Sequence, residues 1–358
     1  MGGSAIGGQQ ESQHLRGCVS LNSCGQAAES DKSITRSISA NSGSPGTRFT
    51  LENFDLGRII GIGGCAFVRV AYCKPLNKPA VLKTYSKAQL IKSAEVRHFK
   101  NELQALVVIR SMWIPRLLGS GQDNRTVFLV MDFIQGGELF RVLRQLGRFT
   151  LREVEFYAAE VFCALCDVHI WRFVYRDLKP EHLLLDNEGH VKIVDLHLAK
   201  FLKYGGRTNT LCGTPEYMAP EMVERVGVGY EADWWQFGIL LYELLSGKTP
   251  FYDPSPYTLY TKILTVEVRF PGYFSHSACS LIDALLSKQP KKRPSDDQIK
   301  NHPFFSSIDW SRAENQQLSP PMVNRVKTPL ETCYFDTFPL PEEFEAEANT
   351  SKDFFVGV

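Results

Sequence analysis

The stretch from Val174 to Lys200 constrains this chain more than any other. It reads Val-Tyr-Arg-Asp-Leu-Lys-Pro-Glu-His-Leu-Leu-Leu-Asp, a short turn, then Val-Lys-Ile-Val-Asp-Leu-His-Leu-Ala-Lys. The apolar runs Leu183 to Leu185 and Val191 to Val194 flank Asn187-Glu188-Gly189, a pattern that predicts a β-hairpin. Asp177 precedes the first strand, Asp195 ends the second, and Lys179 adds a cation. Such a hairpin brings a candidate base and a candidate metal ligand into one site. That set suits phosphoryl transfer, which needs positioning and charge neutralisation more than covalent chemistry.

The remaining composition narrows the class. A chain of 358 residues has room for two compact units, and a formal net charge of +1 gives no reason to expect nucleic acid as a partner. The nine cysteines are odd in number and scattered, which fits a reducing compartment. The expected location is cytoplasmic, with the nucleus also open. Cys163, Cys166 and His169 lie in an apolar helical segment with no second cysteine pair nearby, so they are expected in the core. No apolar run is long enough to span a bilayer, and no secretory leader is expected at the start. Met1-Gly2 hints at myristoylation, but Ile6 stands where that motif wants Ser or Thr. Residues 1 to 48 are polar and contain no aromatic side chain, so a disordered arm is expected. Within it, Arg36-Ser37-Ile38-Ser39 reads either as a phosphorylation site or as incidental polar tail.

From Phe54 onward the pattern changes to short strands: Leu56 to Ile60, Phe67 to Tyr72, Pro79 to Thr84, and later Phe128 to Phe133. Between the first two lies Gly61-Ile62-Gly63-Gly64-Cys65-Ala66-Phe67-Val68. Glycine lets a backbone approach phosphate closely and leaves its amides free to donate. A strand-turn-strand setting argues against a Rossmann loop, which opens a helix. Residues 93 to 110 place Val96, Phe99, Leu103, Leu106 and Ile109 at helical spacing, with Glu102 on the same element. Thr150-Leu151-Arg152-Glu153 is a capping box. Asp233-Trp234-Trp235 opens a segment apolar nearly all round, expected to be buried and to stop at Gly247. There is no internal repeat.

The hairpin resembles the catalytic and metal-binding loops of protein kinases. The glycine-rich loop followed by Lys83 resembles the roof of their ATP site, and Ala219-Pro220-Glu221 resembles the end of their activation segment. Leu211-Cys212-Gly213-Thr214-Pro215-Glu216-Tyr217 and Asp233-Trp234-Trp235 place the resemblance in the AGC group, nearest the catalytic subunits of cAMP-dependent protein kinase. The resemblance implies an α+β, bilobal fold: a small β-rich lobe with one main helix at 54–134, a large helical lobe at 135–304, and an AGC tail at 305–358. It implies a serine/threonine kinase using ATP and Mg2+, or Mn2+. Asp177 then accepts the substrate proton, Lys179 neutralises the moving phosphoryl group, and Asp195 binds metal. Ile60 to Val68, Lys83 with its partner Glu102, the gatekeeper Met131, Asp132 and Phe133 hold ATP, and Gln135-Gly136-Gly137-Glu138 resembles the adenine-contacting hinge. Tyr175 and Leu196 join an apolar spine, and Glu221 pairs with Arg293. Thr210 is the activating phosphosite for an upstream kinase, clamped by His98, Arg176 and Lys200.

Glu138, Glu181 and Glu243 match the acidic residues that hold arginines before the target Ser or Thr. Leu211, Pro215 and Met218 match a slot for the apolar residue that follows it. Tyr260 matches a contact of cAMP-binding regulatory subunits, whereas Asn209 replaces the tryptophan expected for that partner. Tyr334-Phe335-Asp336-Thr337-Phe338 resembles the tail segment over the adenine pocket, and Phe354-Phe355 resembles the terminal hydrophobic motif. Two departures matter most. His182 stands where the second metal's asparagine belongs, and His197 replaces a glycine that supplies backbone freedom. They leave two readings open: an enzyme with altered metal preference, or a pseudokinase scaffold.

Overall fold

The computed structural model describes residues 47–324 and 326–341, together with Phe344 and Phe355. The expectations for residues 1–46, including Arg36 to Ser39, and for Phe354 and Val356 to Val358 fall outside them. Five strands form one antiparallel sheet in the order β1-β2-β3-β5-β4: β1 (Phe54–Ile62), β2 (Ala66–Cys73), β3 (Lys78–Ser86), β4 (Leu117–Gln122) and β5 (Thr126–Asp132). The sequence anticipated all but β4, whose Leu-Leu-Gly-Ser-Gly-Gln has little β-propensity. Packing explains its glycines. A Cβ on Gly119 would lie 2.3 Å from the Thr47 carbonyl oxygen, and one on Gly121 would lie 2.2 Å from that of Phe49. The chain before β1 runs along β4 in that space: Ser120 N donates to Thr47 O (3.1 Å) and Phe49 N donates to Ser120 O (2.9 Å).

The helix expected over 93–110 is shorter. A separate turn of helix, α1 (Lys87–Lys92), comes first, and α2 (Val96–Val108) starts only after Ala94, whose φ of +60° breaks the run. Phe99, Glu102, Ala105 and Leu106 form its buried face.

The second lobe begins with α3 (Leu139–Leu146) and α4 (Leu151–Ile170). The Thr150 capping box opens α4: Glu153 N donates to Thr150 Oγ1 and Thr150 N donates to Glu153 Oε2 (2.7 Å). The carboxylate-bearing stretch folds as the hairpin β7 (Leu183–Leu185) and β8 (Val191–Ile193), with Leu183 opposite Ile193. Asp195 therefore sits two residues past β8, not at its end. A small ladder, β6 (Phe173–Val174) with β9 (Lys200–Phe201), closes the loop on either side. After α5 (Pro220–Glu224), the buried helix α6 (Glu231–Ser246) ends at Gly247 with φ +80°. Phe162 of α4 stacks on Trp234 of α6 at 5.4 Å, and Cys163 and Cys166 are buried in the same core.

The tail crosses back to the small lobe. Asn324 Nδ2 donates to Gly136 O, Gln135 Nε2 donates to Thr328 O, and the Phe335 ring lies 5.9 Å from Phe133. Phe355 is buried against Phe99 (5.9 Å) and under the Lys87 ammonium, so this half of the terminal motif docks on the small lobe. No helix among the described residues is long and apolar enough to cross a membrane.

The buried Arg293 guanidinium meets Glu221 through two bonds (2.6 and 2.7 Å), donates to Glu231 O and lies over Trp235. Removing one partner of a buried pair strands the other charge, so Arg293→Ala is expected to cost about 3–5 kcal/mol. Urea unfolding of the two proteins measures this difference.

Candidate active site

The lobes enclose a cavity of about 550 Å³. Ile60, Gly61, Ile62, Gly63, Gly64, Cys65, Ala66 and Val68 line its roof. Gly63 N donates to Ala66 O (2.7 Å), so the glycine-rich turn is closed by its own backbone. Phe67, expected in the ATP set, is not part of that lining: alternation along β2 puts it on the opposite face from Val68. Met131, Asp132 and Phe133 line the far wall with Phe335 of the tail. Asp132 lines the cavity as expected, and its carboxylate is engaged by Lys78 (2.8 Å) and Arg116 (2.7 Å).

Lys83 projects from β3 into the cavity. Its Nζ donates to Glu102 Oε1 on α2 (2.8 Å) and to Asp195 Oδ1 (2.7 Å). Burial disfavours its charge, but Asp195 and Glu102 together outweigh that, and the ammonium is held above its usual range. The Tyr85 hydroxyl donates to the other oxygen of Glu102.

Asp195 takes a positive φ of +60°, which turns its carboxylate toward Lys83. Burial raises its pKa, but Lys83, His197 and His182 more than reverse this, and the carboxyl stays well below the normal range. His197 Nδ1 lies 2.5 Å from Asp195 Oδ1. The concern about backbone freedom does not materialise: Asp195, not His197, adopts the left-handed conformation.

Asp177 is buried, and its Oδ1 accepts bonds from the Thr214 hydroxyl (2.9 Å) and Thr214 N (3.1 Å). Lys179 Nζ donates to the same hydroxyl (2.9 Å) and lies 3.5 Å from Asp177 Oδ2. His182 sits between the two acids. Its Nδ1 lies 2.9 Å from Asp177 O, and a carbonyl can only accept, so Nδ1 carries the proton. That leaves the Nε2 lone pair facing Asp195 Oδ2 at 3.8 Å. Burial, with Lys179 adding, lowers the His182 pKa despite both carboxylates, so the ring is neutral at pH 7. One nitrogen and one carboxylate oxygen thus converge. Among the described residues no group of three or more His, Cys, Asp or Glu is arranged to hold a metal.

The loop around Asp177 is fixed from behind. Asp233 accepts Tyr175 N and Arg176 N (both 2.8 Å) and pairs with His169, while the Gln236 amide bonds Leu178 N and Arg176 O. Tyr175 and Leu196 are buried in a core cluster that spans both lobes. Arg176 donates twice to Leu198 O, and its buried Nη1 has no hydrogen-bonding partner among the described residues. Lys200 Nζ donates to Thr208 Oγ1 (2.8 Å), and Thr208 Oγ1 lies 3.3 Å from Thr210 Oγ1. Burial first, then Arg176 and Arg97, lower the Lys200 pKa; burial, with His197, Arg176 and Arg97 adding, lowers that of His98. These cations therefore feel one another.

Opposite lies an acidic rim. Burial raises the carboxyl pKa of Glu138, with Glu181 and Asp336 adding to it, and that of Glu181, with Asp177 and Glu216 adding. Glu243 accepts the Tyr217 hydroxyl, yet burial aided by Glu181 and Glu216 pushes it up to about 7. Of the three residues expected to form the apolar slot, Leu211 and Pro215 are exposed and Met218 is buried.

A family model described as a protein kinase domain matches residues 54–305. The chain belongs to the protein kinase family. It is 36% identical over 356 residues to a cAMP-dependent protein kinase catalytic subunit of Arthrobotrys oligospora, covering 98% of this chain and 68% of that one. It is 37% identical over 309 residues to the cAMP-dependent protein kinase catalytic subunit PRKX of Mus musculus, covering 85% and 86%. It is 39% identical over 302 residues to the serine/threonine-protein kinase YPK1 of Saccharomyces cerevisiae, covering 83% and 44%. In this kinase, sequence reasoning gave no role to Thr214, Tyr85 or Arg97. Thr214 stood inside a quoted motif and its hydroxyl was the available signal; Tyr85 lies two residues past Lys83, on the same strand face; Arg97 adjoins His98.

Proposed function

We propose that this serine/threonine kinase transfers the γ-phosphoryl group of ATP to Ser or Thr preceded by arginine and followed by an apolar residue. The observation that carries the reading is the convergence of Asp177 and Asp195 on one imidazole, His182, at the floor of the cavity beneath the glycine-rich turn. Asp177, steadied by Thr214, takes the hydroxyl proton through its Oδ2. Lys179, within reach of that oxygen, offsets charge on the moving group. Lys83, braced by Glu102, grips the inner phosphates. Asp195 is the residue that would hold a divalent cation, which when bound would neutralise developing charge. The nitrogen of His182 beside that carboxylate favours Mn2+ over Mg2+, since magnesium prefers an all-oxygen shell.

The cations about Arg176, one with an unused buried N–H, support Thr210 as the residue whose phosphate they receive. Substrate proteins rich in arginine fit the acidic rim, and an upstream kinase and a cAMP-binding regulatory subunit are the proposed regulators. A second reading rests on one contact. His197 together with Lys83 occupies Asp195 Oδ1, which favours a nucleotide-binding scaffold without transfer.

Radiolabelled phosphate transfer to an Arg-Arg-x-Ser-apolar peptide decides between them. Transfer by the wild type, lost in Asp177→Ala, is expected; equal labelling by both proteins overturns the assignment.

The pH profile of peptide recognition carries a sign. Below about 7 Glu243 is protonated and neutral, and above it the carboxylate is free to pair with guanidinium. The KM for an arginine peptide should therefore fall as pH rises from about 6 to 8. An alanine-substituted peptide should show no such fall.

His182→Asn restores an oxygen ligand. Magnesium-supported turnover should rise about tenfold relative to manganese-supported turnover, in line with the effect of ligand-sphere changes on metal affinity or activity. Steady-state rates in each metal check it.

A further inference from the structure

One buried phenol has no part in the chemistry described so far. Tyr85 lies two residues past Lys83 on β3, so the two side chains leave the same face of the strand. Lys83 Nζ donates to Glu102 Oε1 (2.8 Å), and the Tyr85 hydroxyl donates to Glu102 Oε2. One strand thus holds both oxygens of a buried carboxylate. The Tyr85 ring meets α2 a second time. Phe99, three residues before Glu102 and on the same helix face, packs edge-on against it at 5.1 Å. The Lys83 ammonium lies 5.5 Å from the ring centroid. Burial first, then Glu102 and Asp195, hold the phenol pKa well above its usual value, so the hydroxyl remains a donor.

A different set of groups reaches α2 from the large lobe. The His98 ring lies 6.5 Å from that of His197, and His98 feels the charges of Arg176 and Arg97, as Lys200 does. Such cations repel, and a phosphate received from Thr210 would turn that repulsion into attraction. Arg97 is exposed, so solvent and salt screen its share. The Tyr85–Glu102 bond is buried and is not screened in that way. Its partners belong to β3 and α2 alone, so it holds the helix whatever the charge at Thr210.

We infer that Tyr85 is a positioning residue that latches α2 inward through Glu102, so that the Lys83–Glu102 pair forms without a phosphate on Thr210. The inference rests on the phosphoryl-transfer reading and extends it to how that reaction is regulated. The hydroxyl touches neither nucleotide nor reacting atoms. Without it Glu102 keeps one partner, and the position of α2 comes to depend on the charge at Thr210.

The test uses the full chain, amide hydrogen exchange across α2, which needs no activity, and steady-state kinetics. Tyr85→Phe keeps the ring and removes only the hydroxyl. In a Thr210→Ala background it should speed exchange in α2 and lower kcat/KM for ATP about tenfold, the scale of one bond to a charged group. With Thr210 intact and phosphorylated the loss should be about twofold, because the phosphate then shares the load. The KM for peptide should stay near wild type. Thr210→Ala alone should leave α2 exchange unchanged, and Tyr85→Phe should add no further loss once Glu102→Ala has removed its partner. Unchanged exchange in Tyr85→Phe, losses that add strictly to those of Glu102→Ala, or fast exchange in Thr210→Ala alone overturns the latch. Faster exchange in Tyr85→Phe from a wild type that transfers no phosphate leaves the latch standing and overturns transfer alone. Equal losses with and without Thr210 overturn the phosphosite and spare the latch.

Discussion

A single ammonium joins three parts of this molecule. Lys83 belongs to the small lobe's sheet, Glu102 to its helix, and Asp195 to the loop after a hairpin of the large lobe, and the three meet within 2.8 Å. Placing one cation between two carboxylates in a cavity is costly in desolvation unless every partner is present. The closed arrangement of the lobes and the position of α2 are thus coupled to one electrostatic contact. Tyr85, bonded to Glu102 from behind, keeps the helix carboxylate from swinging free.

The same interaction frames the two unusual histidines. His197 does not relieve or impose backbone strain; it adds a second donor to an oxygen that Lys83 already holds. His182 does something different, since its proton is committed to a backbone carbonyl and its lone pair faces Asp195. One histidine competes for the carboxylate and the other extends its donor set. Residue identity marks one as a lost oxygen ligand and the other as a lost glycine, whereas the contacts give both a role toward Asp195.

Much of the fold was legible because its signals are local. The hairpin, the Thr150 cap, the apolar segment of α6 and its glycine stop each depend on a few adjacent residues. The Lys83–Glu102 and Glu221–Arg293 contacts were legible through family resemblance, since nothing in local pattern links residues so far apart. What stayed hidden was set by distant packing. β4 is a poor strand by composition and forms because Thr47 to Phe49 fill the space its glycines leave. The outward turn of Phe67 and the engagement of Asp132 depend on partners that no local pattern reveals.

That filled space bears on solubility. Exposed sheet edges invite pairing with other chains. Here each outer strand carries a piece of the protein's own backbone, Thr47 to Phe49 on β4 and Phe338 on β1. A version trimmed back to the start of β1 would bare the β4 amides beside two glycines, and such a fragment would tend to self-associate through strand exchange even with its catalytic groups intact.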